Sequence, residues 1–206
     1  ALKRAEEEMT FITKNNIKAI RFDSPDYPTR LTQCSDAPQI LYKYGNCDLN
    51  AQKFVAIVGT RNATKYGRDL TAELVRTLAL SNPDAVIISG LAYGIDIAAH
   101  KAALEYGLST IGVVAHGLDR IYPHVHRQYA SQMIQKGGAI VTEYLSKTTP
   151  DPQNFVQRNR IVAGMCDVTV VVESAIKGGS LITANIANDY NRDVIAFPCR
   201  VGDKAS

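Results

Sequence analysis

The sequence predicts a doubly wound α/β fold with a mostly parallel sheet, and two observations carry this prediction. Short apolar runs rich in β-branched residues recur after residue 53, as expected for strands that are buried on both faces of a parallel sheet. Amphipathic segments separate these runs, so that strand and helix alternate along the chain. The predicted strands are residues 54–58, 85–89, 110–114, 139–142, 168–172 and 194–197.

The helical segments are identified by apolar residues that recur every four positions. Residues with this spacing share one face of a helix, which then packs against the sheet. Five strand–helix–strand repeats in succession favour helices on both faces of the sheet. The residues that carry the helical period are Leu70, Leu74 and Leu78, then Tyr129 and Met133, then Ile182 and Ile186.

The first 50 residues differ and are interpreted as a short helical and extended lead-in. Residues 1–15 are predicted to be the end of a helix, so we expect an N-terminal piece to be missing. Pro25, Pro28 and Pro38 push the residues before them out of helical geometry, which predicts a proline-containing linker. The predicted division is therefore 1–50 for the lead-in and 51–206 for the α/β domain.

Composition narrows the classes of function. With 46% hydrophobic and 21% charged residues in 206, the chain has the balance of a globular protein. The net charge of +3 excludes a basic coat, and the surplus lies in residues 51–150, which carry ten basic and seven acidic groups. Apolar runs stay well below the about 18 residues of a membrane span, and the cysteines lack C-x-x-C spacing. We expect a cytoplasmic protein with reduced thiols and no membrane partner.

Ligands of an open parallel sheet bind beyond the carboxyl ends of its strands, so the residues after each apolar run are informative. Arg61 stands where a dinucleotide-binding turn needs a glycine. Ser89 and Gly90 stand at the end of the second strand, where a dinucleotide-binding protein has an acid that binds the ribose. This pattern argues against a nicotinamide or flavin, and no cofactor is predicted. Arg61 and Lys65 instead suit a phosphate near a helix start. The alternative is that Arg61 pairs with a local carboxylate.

A second phosphate-binding turn is predicted after residues 168–172. Gly178 and Gly179 let backbone amides face an anion at a helix start beside Ser180, and Lys177 adds a cation. The residue order of a Walker A loop is missing. The alternative is a plain turn in which the serine caps the helix.

The third candidate segment places two guanidinium groups and an aromatic ring within seven residues, at Phe155, Arg158 and Arg160. Proteins hold single-stranded nucleic acid by phosphate contacts beside aromatic rings, so this segment predicts such a site. The alternative is a solvated basic turn with Phe155 in the core. Further rings that follow predicted strands are candidates for the same crevice: Tyr66, Tyr93, Tyr122 and Tyr144.

Catalytic and metal-binding patterns are weak. Asp96 and His100 are four residues apart on one helix face, and a structural hydrogen bond between them is expected. His124 and His126 have no third ligand nearby, and no G-x-S-x-G elbow is present. We therefore predict no catalytic residue and no metal site.

Five motifs, taken together and in order, resemble the DNA-processing protein A family, DprA/Smf. The first two contain the glycines after the first and second strands, and the last contains the glycine–serine pair. The lead-in segments 27–28 and 38–42 resemble the part of the family that precedes its Rossmann-like domain. The five motifs are residues 55–61 with 66–67, 89–96 with 99–100, 117–119 with 122–123, 154–155 with 158–164, and 179–184.

The resemblance implies a non-enzymatic protein of natural transformation. Such a protein binds and protects incoming single-stranded DNA, forms a homodimer and loads the RecA recombinase. Val156 and Gly178 depart from the family's usual proline and serine, and the chain is expected to be truncated before the family's C-terminal segments. The resemblance implies that the residues at the positions matching the family's motifs line a DNA pocket, namely Arg61, Phe155, Arg158, Arg160, Lys177, Gly178, Gly179 and Ser180.

Two other classes remain as alternatives. One is a nucleoside-monophosphate phosphoribohydrolase, a class that carries the motif P-G-G-x-G-T-x-x-E at its last helix start. Here Lys177 replaces the proline, and the first helical turn through Asn185 holds no glutamate. The other is a small-nucleotide sensor that uses the same crevice.

Overall fold

Within residues 2–176 and 178–198, which the computed structural model describes, eight strands form one sheet. The order is β1-β2-β6-β5-β4-β3-β7-β8, and the six strands from β6 to β8 are parallel. This confirms the predicted fold class. The strands are β1 (Lys18–Arg21), β2 (Ile40–Gly45), β3 (Phe54–Val58), β4 (Val86–Ser89), β5 (Thr110–Val113), β6 (Ala139–Thr142), β7 (Val168–Val171) and β8 (Asp193–Ala196).

Helices cover both faces of the sheet, as the alternation of strands and helices predicts. Phe54 and Val58 of β3 pack with apolar residues of α6 and α7, whereas Val55 and Ile57 pack with those of α3 and α4. Each residue of β3 is therefore buried, which explains why its sequence shows no polar alternation. The helices are α1 (Leu2–Lys14), α2 (Thr29–Thr32), α3 (Lys65–Ser81), α4 (Ile95–Tyr106), α5 (Arg127–Gln135), α6 (Pro152–Gly164) and α7 (Gly179–Asp189).

Local capping fixes where the helices around the sheet edge begin. Thr64 is the N-cap of α3, and its hydroxyl accepts a hydrogen bond from the Gly67 amide. Asp151 is the N-cap of α6, with Pro152 in the first helical turn, where its missing N–H costs nothing. Residues 152–164 are thus helical, and the solvated turn considered as the alternative for the segment around Arg158 is not formed.

The lead-in joins the main sheet rather than forming a second core. β1 and β2 pair with each other and β2 pairs with β6, in both cases antiparallel. Tyr27, Leu31 and Leu41 are buried in the same cluster as β3, and the Tyr27 hydroxyl donates to Pro38 O at 2.6 Å. The predicted N-terminal helix is confirmed as α1. Two strands in this segment were predicted only as extended chain, and the division at residue 50 stays a prediction.

Two further observations concern the cysteines and the length of the helices. Cys34, Cys47 and Cys166 are free buried thiols, whereas Cys199 lies outside the described residues. Among the described helices, none is long and apolar enough to cross a membrane.

Candidate functional site

A cleft of about 730 Å³ opens at the carboxyl ends of β3, β4 and β7. Three predicted segments meet there, although they are far apart in the sequence. Lys65 and Arg160 do not line the cleft, and Lys177 lies outside the described residues. The predicted residues that do line it are Arg61, Phe155, Arg158, Gly178, Gly179 and Ser180.

The turn after β3 is hydrogen-bonded to the segment after β7 and to the start of α4. The Thr60 amide donates to Glu173 O at 2.7 Å, and the Ile95 amide donates to Thr60 O at 3.2 Å. The buried Glu173 carboxylate also accepts hydrogen bonds from the amide of Thr64, at 2.9 Å, and from its hydroxyl. The segment directly after β7 and the start of α4 therefore fix the backbone that carries Arg61.

Gly94 permits the close approach of the β3 turn to the start of α4. Its φ is +78°, and a Cβ placed on it would overlap Thr60 O and the backbone of Arg61. Any other residue would meet both a conformational and a steric penalty here. The glycine thus determines how near the β3 turn lies to the start of α4.

Arg61 is exposed, and its guanidinium carbon lies 5.4 Å from the ring centroid of Phe155. Within the described part of the chain it has no carboxylate at ion-pair distance, so the local ion pair considered as an alternative is not formed. Phe155 is half-buried outside the core clusters, with the Tyr122 ring 5.9 Å away and tilted by 44°. Cation and rings together make a surface on which a base can stack beside a phosphate.

The loop that carries Tyr122 is fixed by His116. The Tyr122 amide donates to His116 Nε2 at 3.2 Å, so the other ring nitrogen is the protonated one and donates to Gly117 O at 2.9 Å. Burial lowers the pKa of His116, which keeps this neutral tautomer. Tyr122 was predicted only as one of several rings, and its position over the cleft depends on this contact.

Arg158 forms part of the cleft floor and is 4% exposed. Its Nη1 donates to Gly90 O at 2.6 Å and to Val113 O, at the ends of β4 and β5. Its Nε has no hydrogen-bond partner among the described residues. Burial lowers the pKa of Arg158 and raises that of the nearby Asp96 carboxyl, and the attraction between the two charges opposes both shifts.

Arg160 lies on the other side of α6, because two residues along a helix turn the side chain by about 200°. Its Nη2 donates to Glu143, and its Nε lies 3.8 Å from Asp36 of the lead-in. Burial raises the pKa of Glu143, and Arg160 counteracts that rise. Lys65 is exposed at the start of α3 and forms an ion pair with Asp69. Neither cation reaches the cleft.

The start of α7 forms the opposite wall. Gly178 is the N-cap and supplies no side-chain acceptor, so the predicted alternative of a serine-capped turn is wrong. Ser180 instead donates to the Ser174 hydroxyl at 2.7 Å. A Cβ on Gly179 would meet no atom within 4 Å, so the helix start is open toward the cleft.

Two polar residues of the cleft, Asn159 and Asp96, were not among the predicted site residues. Asn159 lies between the two arginines and donates from Nδ2 to Gly179 O at 3.4 Å, which links α6 to α7. Asp96 accepts from the Ala92 amide at 3.3 Å. The expected hydrogen bond between Asp96 and His100 is not formed, since His100 Nδ1 instead bonds Thr110 Oγ1 at 2.7 Å. Spacing along one helix could not show that β5 offers His100 a nearer partner.

Metal binding has no support in the described residues, where no group of three His, Cys, Asp or Glu side chains could hold an ion. The cleft instead combines an exposed guanidinium, aromatic rings and a helix start at the edge of a parallel sheet. The fold and site therefore define a Rossmann-like α/β protein with a cationic, aromatic-lined cleft.

Comparison with known proteins identifies the family. The family model for DNA recombination-mediator protein A matches residues 18–206, and the chain belongs to this family. Protein Smf of Escherichia coli is 36% identical over 204 residues, which are 99% of this chain and 54% of that protein. The chain thus spans about half the length of this curated relative.

Two solved structures share the fold. DNA processing protein A from Streptococcus pneumoniae superposes with a TM-score of 0.86 at 35% identity, over 96% of this chain and 69% of that one. The protein of the same name from Helicobacter pylori, described for its single-stranded DNA binding mode, gives a TM-score of 0.81 at 32% identity. That match covers 92% of this chain and 84% of the Helicobacter chain.

Proposed function

We propose that this chain binds single-stranded DNA in the cleft, without preference for base sequence. The observation that carries the proposal is the contact between Arg61 and Phe155 in the cleft. The Arg61 guanidinium carbon lies 5.4 Å from the centroid of the Phe155 ring, and the start of α7 lines the same cleft. A guanidinium suits a backbone phosphate, and an aromatic face accepts any base. The single-stranded DNA binding mode described for the Helicobacter relative supports this function.

Each cleft residue has a role in this proposal. Arg61 contacts a phosphate, Phe155 stacks on a base, and Gly178, Gly179 and Ser180 offer the start of α7 to a second phosphate. Arg158 adds positive potential from the floor.

Three predicted contacts lie beyond the cleft lining. Lys65 and Lys177 stay predictions as contacts to phosphates further along the strand. Arg160 also stays a prediction, but it would have to leave Glu143 and Asp36 to reach DNA.

The direct test is a binding panel. Fluorescence anisotropy is measured with labelled single strands of mixed sequence and with blunt duplex of equal length, over a series of salt concentrations. We expect tighter binding to single strands, and a fall of affinity with salt whose logarithmic slope is about 0.7 per phosphate contacted. Equal or tighter binding to duplex would refute the proposal.

The role in the cell is a further part of the proposal. Family membership supports a protein of natural transformation that protects incoming DNA, forms a homodimer and loads RecA. The test uses the full-length protein: RecA filament formation on single strands coated with a single-strand-binding protein, and sedimentation for the oligomeric state. No acceleration of filament formation would refute RecA loading.

We also propose that the cleft turns over no nucleotide. The first turn of α7 carries no glutamate, and the acid in the cleft, Asp96, is held by the Ala92 amide near Arg158. Incubation with nucleoside monophosphates and chromatography for free base is the test. Base release above a protein-free control would establish the phosphoribohydrolase alternative.

A further inference from the structure

Tyr93 is an exposed ring beside the cleft that the cleft itself does not use. Its side chain is 48% exposed, and it is not one of the residues that line the cleft. Ala92 before it does line the cleft, and Gly94 after it lies against the backbone of Arg61. Because consecutive Cα atoms are about 3.8 Å apart, the backbone of Tyr93 lies at the border of the cleft.

The turn that carries Tyr93 is held in an uncommon conformation. Leu91 is fully buried with a φ of +58°, which is unfavourable for leucine and must be imposed by its contacts. One of these contacts comes from His126, whose Nδ1 donates to Leu91 O at 2.9 Å. The same imidazole meets the Tyr93 ring edge-on, with 5.1 Å between the ring centroids and 67° between the planes. His126 thus holds both the turn and the exposed ring.

Arg127 follows His126 and supplies a cation at the same place. It is exposed and is the first residue of α5. In the described part of the chain, Arg61 and Arg127 are the two arginines whose side chains form no hydrogen bond or ion pair with the protein. Residues 121–142 contain no Asp or Glu. The Arg127 guanidinium is therefore free to give all its donors to a phosphate.

Tyr93 and Arg127 lie at the same edge of the sheet as the cleft. They stand at the starts of α4 and α5, which follow the carboxyl ends of the neighbouring strands β4 and β5. The 3₁₀ turn His124–His126 connects them to the cleft, because it begins two residues after Tyr122, which lines the cleft. We call this surface the rim, and its exposed residues are Tyr93, His124, Val125 and Arg127.

We propose that the rim is a second contact surface for single-stranded DNA, continuous with the cleft. Tyr93 stacks on a base, and Arg127 binds a phosphate of the strand where it leaves the cleft. An exposed ring beside an unpaired guanidinium is also the combination that Phe155 and Arg61 form in the cleft, and it accepts any base. This inference rests on the function proposed above, because the strand on the rim is the one that occupies the cleft.

The first arm of the test is anisotropy with a labelled single strand of about 12 nucleotides, over a series of salt concentrations. Tyr93→Ala should weaken binding by about fivefold or more without a change in salt slope, since a stacked base neutralises no phosphate. Arg127→Ala should weaken binding by about fivefold and reduce the logarithmic salt slope by about 0.7. Unchanged affinity in either variant would overturn the proposal.

Two matched controls accompany these variants. Tyr44→Ala removes a tyrosine of similar exposure, 41%, at the opposite edge of the sheet, where Tyr44 pairs with Ile140 near the start of β6. Arg76→Ala changes the net charge as Arg127→Ala does, but the Arg76 guanidinium is already paired with Glu73. Both controls should bind single strands as the unaltered chain does. A loss in Arg76→Ala equal to that in Arg127→Ala would attribute the effect to net charge and overturn the role of Arg127.

A purely structural role of Tyr93, in which it only packs on His126, makes a different prediction. Tyr93→Phe keeps the flat ring and should bind as the unaltered chain does. Tyr93→Leu keeps an apolar side chain without a flat face and should bind as weakly as Tyr93→Ala. Full affinity in Tyr93→Leu would show that the ring does not stack on a base and would overturn the proposal. Thermal denaturation of the same samples verifies that each variant is folded.

Strand length separates the rim from the cleft. A strand of about 4 nucleotides, at the short end of known site sizes, should occupy the cleft alone and is measured by competition. Arg61→Ala should weaken both lengths, whereas Tyr93→Ala should weaken only the longer strand. Equal loss at both lengths would mean that Tyr93 acts on the cleft through its turn, which would overturn the rim.

The outcomes also separate this inference from the proposed function. If single strands bind and Arg61→Ala weakens them while the rim variants do not, the rim fails and the DNA-binding function stands. If the unaltered chain binds no single strand of either length, the proposed function itself fails.

Discussion

Three arginines that were all predicted to contact DNA have different chemistry because their surroundings differ. Arg61 is exposed and touches an aromatic face, Arg158 is buried with two carbonyl partners, and Arg160 is buried against a carboxylate. Charge alone therefore does not identify a DNA contact. An exposed arginine can give its full hydrogen-bonding capacity to a phosphate, whereas a buried one is already engaged.

Arg61→Ala tests the exposed arginine. Loss of a charged hydrogen bond should weaken single-strand binding by about 1.5 to 3 kcal/mol, with almost no change in Tm. Arg61→Lys should restore only part of the affinity, because the charge is kept and the forked geometry is lost. Arg76→Ala, which removes an exposed arginine that pairs with Glu73 on α3, is the control. Unchanged DNA affinity in Arg61→Ala, measured by anisotropy, would contradict the assignment.

His100 should make the stability of the fold sensitive to acid. Burial lowers its pKa to about 3, so below its ordinary value of 6.5 the unfolded chain takes up a proton that the folded chain refuses. The free energy of unfolding should therefore fall as the pH decreases from 6.5, by at most about 1.4 kcal/mol per pH unit from this residue.

Urea denaturation between pH 7 and pH 5 measures this effect. His100→Asn keeps a donor for Thr110 but cannot take up a proton, so its stability should fall less steeply. His116, whose pKa is also lowered by burial, is present in both proteins and cancels in the comparison. Parallel pH profiles would show that His100 does not titrate as its burial requires.

At the scale of elements, the site depends on how turns of different strands are tied together. The β3 turn is bonded to the end of β7 through Glu173 and to the start of α4 through Ile95. Gly94 allows the second of these contacts. The position of Arg61 is thus determined by two elements that follow it in the chain.

Gly94→Ala should move this turn and weaken DNA binding. Gly107→Ala is a matched control, because φ is +78° at Gly94 and +81° at Gly107, but a Cβ at Gly107 meets nothing within 4 Å. Gly107→Ala should lose about 1 kcal/mol of stability from its αL backbone, and Gly94→Ala should lose more, both from overlap and because φ of +78° with ψ of −123° lies outside the αL region. Only Gly94→Ala should lower single-strand affinity. Equal affinities of the two variants would contradict this role of the β3 turn.

Arg160 connects α6 to β6 and the lead-in, so its removal should act on stability. Arg160→Met leaves the half-buried Glu143 without its partner and should destabilise the fold by about 3 kcal/mol. The double variant Arg160→Met/Glu143→Leu should recover most of that loss. If the double variant is stable but binds single strands as poorly as Arg61→Ala, Arg160 is a direct DNA contact after all. Denaturation and anisotropy on the same samples give both quantities.

At the scale of the whole molecule, buried strands and the order of motifs could be predicted from the sequence. Phe54–Val58 is apolar throughout because both faces are covered, and this composition is visible in the sequence. Lys18–Arg21 was not identified as a strand, since only Ile20 in it is buried. Arg158 and Arg160 were assigned to one DNA-binding segment, although Asp151 and Pro152 are the cap and first-turn signals of a helix that directs the two side chains to different sides.

The pairing of β2 with β6 has a consequence for self-association. Ala139, Ile140 and Val141 are buried and carry no charge or proline, so β6 without β2 would present an apolar row of unpaired amides and carbonyls. A fragment of residues 51–206 should therefore aggregate under conditions where the chain of 206 residues does not, as measured by light scattering and sedimentation. A monodisperse fragment would contradict this. The lead-in covers the apolar edge of β6, so that the edge strand at this end of the sheet is β1, in which only Ile20 is buried.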